Sequence, residues 1–176
     1  GLGNKFLANI RESDAICQVI RVFKDNDVVH VDGVVDPKKD IETINTELCL
    51  ADLQSLEKAV VRVEKEARSN KERAPVLAAV KSAQEFLNQG KLIRTCKIDL
   101  ELLKEFQLLT AKPFLYVFNV DAAELSDQNL RAELSKIVAP AEAIFLDAKT
   151  ESELAELSEA DAMELLKSIG LTEPGL

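Results

Sequence analysis

The chain has no tryptophan, a single histidine, a single tyrosine and only 5% aromatic residues in all. A sheet-on-sheet core is built largely from aromatic and β-branched side chains, so this scarcity favours a helix-rich protein over an all-β one. One histidine and no Cys-x-x-Cys pair leave no ligand set for a structural zinc. The cysteines, Cys17, Cys49 and Cys96, are odd in number and scattered, which reads as three free thiols in a reducing, cytoplasmic setting. No run approaches the ~18 apolar residues that would cross a membrane. The start, Gly1-Leu2-Gly3-Asn4-Lys5-Phe6-Leu7, has neither the basic flank nor the apolar core of a signal peptide, and no initiator Met. That beginning reads as an internal piece of a longer protein. Also missing are Gly-x-x-x-x-Gly-Lys-[Ser/Thr], which would cradle phosphates on backbone N–H groups, and the metal-side motif Asp-x-x-Gly. Gly90-Lys91 is followed by Leu92 and does not qualify.

What is present is sufficient for a core: 47% hydrophobic residues in 176, with 30% charged residues for solubility. The net charge of -9 is unevenly spread. Residues 1–46 carry 6 basic and 8 acidic side chains, residues 47–109 carry 11 and 10, and residues 110–176 carry 5 and 13. The middle is the part best able to approach a polyanion.

The apolar pattern changes period along the chain. Phe6, Leu7 and Ile10 mark a short amphipathic helix over 4–11. The β-branched run from Ala15 to Phe23 predicts a buried strand, and the polar stretch Lys24 to Asp36 a surface loop. Asp36-Pro37 is a helix start, and the helix runs to about Arg68. Within it Leu53, Leu56, Val60, Val63 and Ala67 are spaced 3, 4, 3, 4, a heptad seam. The chain reverses over Ser69 to Pro75. Val76, Val80, Ala83 and Leu87 give a second seam, which Gly90 ends. Asp99 caps a short helix through Phe106. Phe114 to Val120 and Ala143 to Leu146 are apolar runs of the kind buried on both faces of a parallel sheet. A helix over 127–138 separates them, and Ser158 to Ile169 predicts a last one. Strand, helical insertion, strand, helix, strand, helix is α/β with a parallel sheet and one large insertion.

Ligands of open α/β sheets sit beyond the C-terminal strand ends. One such end is Asn119-Val120, the next is Asp147-Ala148-Lys149. An Asn at one end and Ala-Lys at the next resembles the way P-loop GTPases and their relatives hold a purine base. The Asn holds the neighbouring loop and meets the base, the Ala N–H points at the six-position, and the Lys stem packs beside it. An Asn that merely ends a strand is the competing reading of either element alone. His30 has no neighbouring nucleophile and reads as a surface or packing residue. Lys58, Arg62 and Lys65 share a helix face, read first as solvated; a contact with ribosomal RNA is the second reading, and it is what the family resemblance given next implies.

The same residues resemble a family. The opening segment to Ile16, then His30-Val31-x-Gly33, Asp36-Pro37, Asp40 to Leu48 and Leu50-Ala51-Asp52-Leu53 follow the order of the Obg-like ATPase (YchF) family. Leu109 to Pro113, Tyr116 to Val120, Glu151 to Leu157 and Leu171-x-Glu173-Pro174-Gly175-Leu176 continue it. The resemblance implies a partial P-loop NTPase sheet interrupted by a coiled-coil hairpin. It places the first part of the nucleotide domain at 1–36, the insertion at 37–109 and the base-recognition strands at 110–176. The P-loop and switches would precede this stretch and a TGS domain would follow. It implies an ATP or GTP hydrolase, redox- or ribosome-associated, with Mg2+ held by residues outside this chain and no catalytic residue within it. DNA and membranes are not among the implied partners. Carried over, Asn119 and Val120 contact the base and Ala148 and Lys149 complete the pocket. The family's Asn-x-x-Glu is altered at its fourth position, Ala122, with Glu124 two residues on. The alternative is a non-catalytic helical module contacting the ribosome or another protein.

Overall fold

A computed structural model of the chain describes residues 3–22 and 35–147. Residues 24–34 of the expected loop Lys24 to Asp36, with His30, the residues Ala148 and Lys149, and the helix over 158–169 lie outside the described residues. Contacts divide the chain into two compact units. One comprises 1–14 with 41–113, the other 15–40 with 114–176.

The second unit holds the sheet. β1 (Ile16–Arg21), β2 (Phe114–Val120) and β3 (Glu142–Asp147) pair in the order β1-β2-β3, both ladders parallel. The register sets Ile16 against Phe114, and Asn119 against both Arg21 and Leu146. Because every strand runs the same way, all three end at one edge. Between β2 and β3 lie α4 (Ala122–Ser126) and α5 (Gln128–Val138). α5 begins where expected, with the Asp127 carboxylate accepting from Leu130 N–H. α4 is the added element. Its cap is reciprocal: Glu124 N–H donates to Asp121 Oδ1 at 2.7 Å, and Asp121 N–H donates to Glu124 Oε1 at 3.1 Å.

The first unit is helical. α1 (Asn4–Arg11) has its expected bounds. α2 (Pro37–Ser69), 33 residues, is about 50 Å long at the α-helical rise. A single 3₁₀ turn over Lys71–Arg73 reverses the chain into α3 (Ala74–Asn88). Gly90, at φ +73, closes α3 in a left-handed conformation that costs glycine little. Leu56 and Val63 of one seam and Val76, Val80, Ala83 and Leu87 of the other share one core. The core does not stop at two helices. Cys49, Ile93, Leu103 and Leu108 belong to it, so the segment after α3 lies over the helix pair. That segment is 3₁₀ rather than α over Leu100–Phe106. Leu100, Leu103 and Phe106 recur every third residue, and all three pack on the core. A winding of three residues per turn stacks them on one face, which an α-helix would not do.

Candidate functional site

Two of the four expected base-binding residues, Asn119 and Val120, sit at the shared strand edge. Asn119 is the penultimate residue of the central strand and is buried, at 8% exposure. Its carbonyl accepts from Val22 N–H at 2.9 Å, extending the β1–β2 ladder by one bond. Val120, wholly buried, pairs with Asp147, so the last residue of β3 stands beside the end of β2. Ala148 and Lys149 would follow immediately but are outside the described residues. Beneath the edge, Phe118 stacks on Phe145 at 5.3 Å, and the Arg131 guanidinium lies 5.0 Å from the Phe145 ring centre. This packing fixes the residues just before Asn119. Glu124 is two residues beyond the family's acidic position. One of its carboxylate oxygens is held by the Asp121 backbone, which turns the side chain back toward the start of α4. Among the described residues no cluster of three or more His, Cys, Asp or Glu side chains converges.

A second convergence lies in the helical unit, and sequence reasoning missed it. Asp52, on α2, is fully buried. Its carboxylate accepts from Leu109 N–H at 2.9 Å, Thr110 N–H at 2.8 Å and the Thr110 hydroxyl at 2.6 Å. Arg11 of α1 approaches the same carboxylate at 3.5 Å, and donates to Ser55 Oγ and to the Gln107 carbonyl, both at 3.0 Å. Gln107 is the one non-glycine residue with positive φ among the described residues, at 49°. Lys112 closes the node by donating to the carbonyls of Arg11 and Ser13. Burial raises the Asp52 pKa above the ordinary carboxylate value, against the opposing pull of the Thr110 and Leu109 donors and of Arg11. Two of the motif segments, Leu50-Ala51-Asp52-Leu53 and Leu109 to Pro113, thus meet at one place. The available signal was positional. Asp52 lies four residues after Leu48 and four before Leu56, on the buried face of α2.

The remaining candidates resolve simply. Burial, with Asp52 and Cys96 nearby, pushes the Cys49 thiol up to about 11, which makes it an inert core group. Burial also raises the Cys17 thiol. Arg62 is held by Glu66 at 2.8 Å and by Glu105 at 3.3 Å, and Arg73 binds the same two carboxylates.

Comparison with known proteins places this arrangement. No family model matches the chain. A ribosome-binding ATPase YchF of Haemophilus influenzae is 42% identical over 182 residues, covering 100% of this chain and 50% of that protein. The ribosome-binding ATPase YchF of Bacillus subtilis is 42% identical over 185 residues with the same coverage, and that of Escherichia coli O157:H7 is 36% identical. The solved structure of the Schizosaccharomyces pombe YchF GTPase superposes with a TM-score of 0.72 at 28% identity, over 98% of this chain and 50% of that one. No helix among the described residues is long and apolar enough to cross a membrane. The chain spans about half the length of the curated relatives it matches, and over the whole of its own length it is homologous to the YchF family.

Proposed function

We propose that this chain supplies the base-recognising strands and a helical arm of a ribosome-associated protein that binds and hydrolyses ATP or GTP. The supporting observation is the position of Asn119. It stands at the C-terminal end of the central parallel strand, in a chain homologous throughout to proteins named as ATPases and a GTPase. In this reading Asn119 and the backbone of Val120 meet the purine. The N–H of Ala148 reads its six-position, and the stem of Lys149 packs alongside. Residues 1–36 and 110–176 form the nucleotide domain, and 37–109 form a coiled-coil hairpin inserted between β1 and β2. The phosphates and Mg2+ are held by the rest of the hydrolase, which acts in the cytoplasm. The engaged carboxylate of Glu124 takes no part in choosing between adenine and guanine.

The test is a titration of the chain with ATP and with GTP, followed by amide chemical shifts. Shifts confined to 119–122 and 147–149, and weakened at least tenfold by Asn119→Ala (about 1.4 kcal/mol), are expected. Amides at that edge that stay unmoved at millimolar nucleotide would favour the helical interaction module instead.

A further inference from the structure

A recess in the helical unit has hydrogen-bond donors in its wall and no carboxylate. α1 presents Asn4, Leu7, Ala8 and Arg11 to it, spaced 3, 1, 3, which puts all four on one helix face. α2 presents Ala51, Gln54, Ser55 and Lys58 at the same spacing. The short side chains of Ala8 and Ala51 leave a cavity of about 180 Å³ between the two faces. At about 30 Å³ per water molecule that is room for roughly six, enough for one tetrahedral anion with a short organic stem. A nucleoside triphosphate is too large to enter.

The donors are available. The Arg11 guanidinium is held by Ser55 Oγ and the Gln107 carbonyl, both at 3.0 Å, with Asp52 at 3.5 Å. Those contacts engage both Nη1 hydrogens and one on Nη2. The Nε hydrogen and the second on Nη2 have no acceptor among the described residues. Asp52 neutralises Arg11 only in part, because Leu109 and Thr110 engage its carboxylate and burial favours its protonated form. Ser55 Oγ accepts from Arg11 and keeps its own hydrogen to donate. Asn4, Gln54 and Lys58 are exposed, and their side chains have no hydrogen-bond or ion-pair partner among the described residues.

We propose that the recess between α1 and α2 binds a phosphate dianion, free or as the terminal group of a small ester. Arg11 and Lys58 are its charged contacts, and Ser55, Gln54 and Asn4 its neutral ones. One cation from each helix suits a dianion better than a single carboxylate. The donors come from both walls, a spread that fits the tetrahedral oxygens of phosphate and not the single plane of a carboxylate. Leu7, Ala8 and Ala51 form an apolar patch beside them, on which a short stem can lie. Arg11 joins the recess to the buried Asp52 carboxylate, so occupancy braces α1 against α2 and stabilises the unit. The site shares no residue with the base pocket proposed at Asn119 and does not depend on it.

The experiment titrates the full chain with inorganic phosphate, with glycerol 3-phosphate and with acetate, at an ionic strength held constant with sodium chloride. Amide chemical shifts locate binding, and thermal melts record stabilisation. Either phosphate should move amides within 4–11 and 51–58 and raise the melting temperature, and acetate should bind about tenfold more weakly. Lys58→Gln removes one charged contact and should weaken phosphate binding about fivefold. Ala51→Leu keeps every donor but fills the recess, and should weaken it about tenfold or more. Lys38→Gln, an exposed charge elsewhere on α2, should leave it unchanged. Circular dichroism verifies that the three variants are folded. Tighter binding of glycerol 3-phosphate supports the site and assigns it to an ester, whose stem lies on the apolar patch. Equal binding of the two supports it and assigns it to free phosphate. Amides at 4–11 and 51–58 that stay unmoved at tens of millimolar phosphate overturn the proposal. So does acetate binding as well as phosphate, affinity retained in Lys58→Gln or Ala51→Leu, or an equal loss in Lys38→Gln.

Discussion

At the scale of single residues, Asp52 carries more structure than any other polar side chain described. A fully buried carboxylate is tolerated because its oxygens receive two backbone N–H groups, a hydroxyl and the approach of Arg11. Asp52→Ala leaves those donors buried and unmet, and should cost roughly 3–5 kcal/mol. Asp52→Asn keeps the shape but turns an amide N–H toward donors, and should cost roughly 1–3 kcal/mol. The pH dependence has a definite sign. The folded-state pKa of Asp52 is raised, so its protonated form is favoured by folding. Its contribution to stability is fully present below the ordinary carboxylate value and is lost as pH rises through the raised one. Wild-type protein should therefore lead Asp52→Asn by a wider margin at the acid end of that window than at pH 8. Glu66 and Glu105 are lowered by their arginines and push the other way, but they are common to both proteins and cancel in the difference. Paired thermal melts check this. A margin that narrows on acidification would show that the Asp52 environment favours its charged form.

Elements were legible where one rule decided them. The strands were found because an apolar run without alternation has few alternatives once a polar residue, Asn119 or Asp147, stands at or next to its end. The long helices were found because both seams repeat for several turns. α4 was missed because Asn119 to Ala122 was read for the family motif, although Asp121 followed by Glu124 three residues on is also a capping box. The short helix after Asp99 was found but its winding was not, because Asp99 starts an α or a 3₁₀ helix alike and only burial of every third residue distinguishes them. The seams carry a direct test. Leu56 has no exposed surface and sits in the core with Val76 and Val80, while Lys58 two residues on is exposed. Leu56→Asp should cost several kcal/mol, on the order of 2–7, and helicity by circular dichroism should fall. Lys58→Glu should leave the spectrum nearly unchanged. Equal losses would mean the buried face of α2 is elsewhere.

For the whole molecule, the strand end that carries Asn119 was legible and the Asp52 node was not, for a physical reason. The base pocket proposed above rests on side chains at fixed strand ends, and the strand end at Asn119-Val120 is visible in the sequence. The Asp52 node depends on partners 57 and 58 residues away, and no local pattern reports them. The same reasoning sets what the chain can do by itself. Purine-nucleotide affinity in phosphate-binding folds comes mainly from backbone N–H groups and a lysine around the phosphates, and hydrolysis needs a metal ion held on the same side. The 176 residues contain no Gly-x-x-x-x-Gly-Lys-[Ser/Thr] and no Asp-x-x-Gly sequence. A base pocket alone orients the ring but stabilises no charge that develops on a transferring phosphoryl group. The isolated chain should therefore bind ATP or GTP weakly at best, with no preference between the nucleoside and its triphosphate, and should show no measurable phosphate release. Joined to a segment that supplies the phosphate loop, it should bind the triphosphate far more tightly than the nucleoside, and Asn119→Ala should then weaken binding of both. Phosphate release by the isolated chain, purified free of contaminating ATPase and abolished by Asn119→Ala, would falsify the division of the active site proposed here.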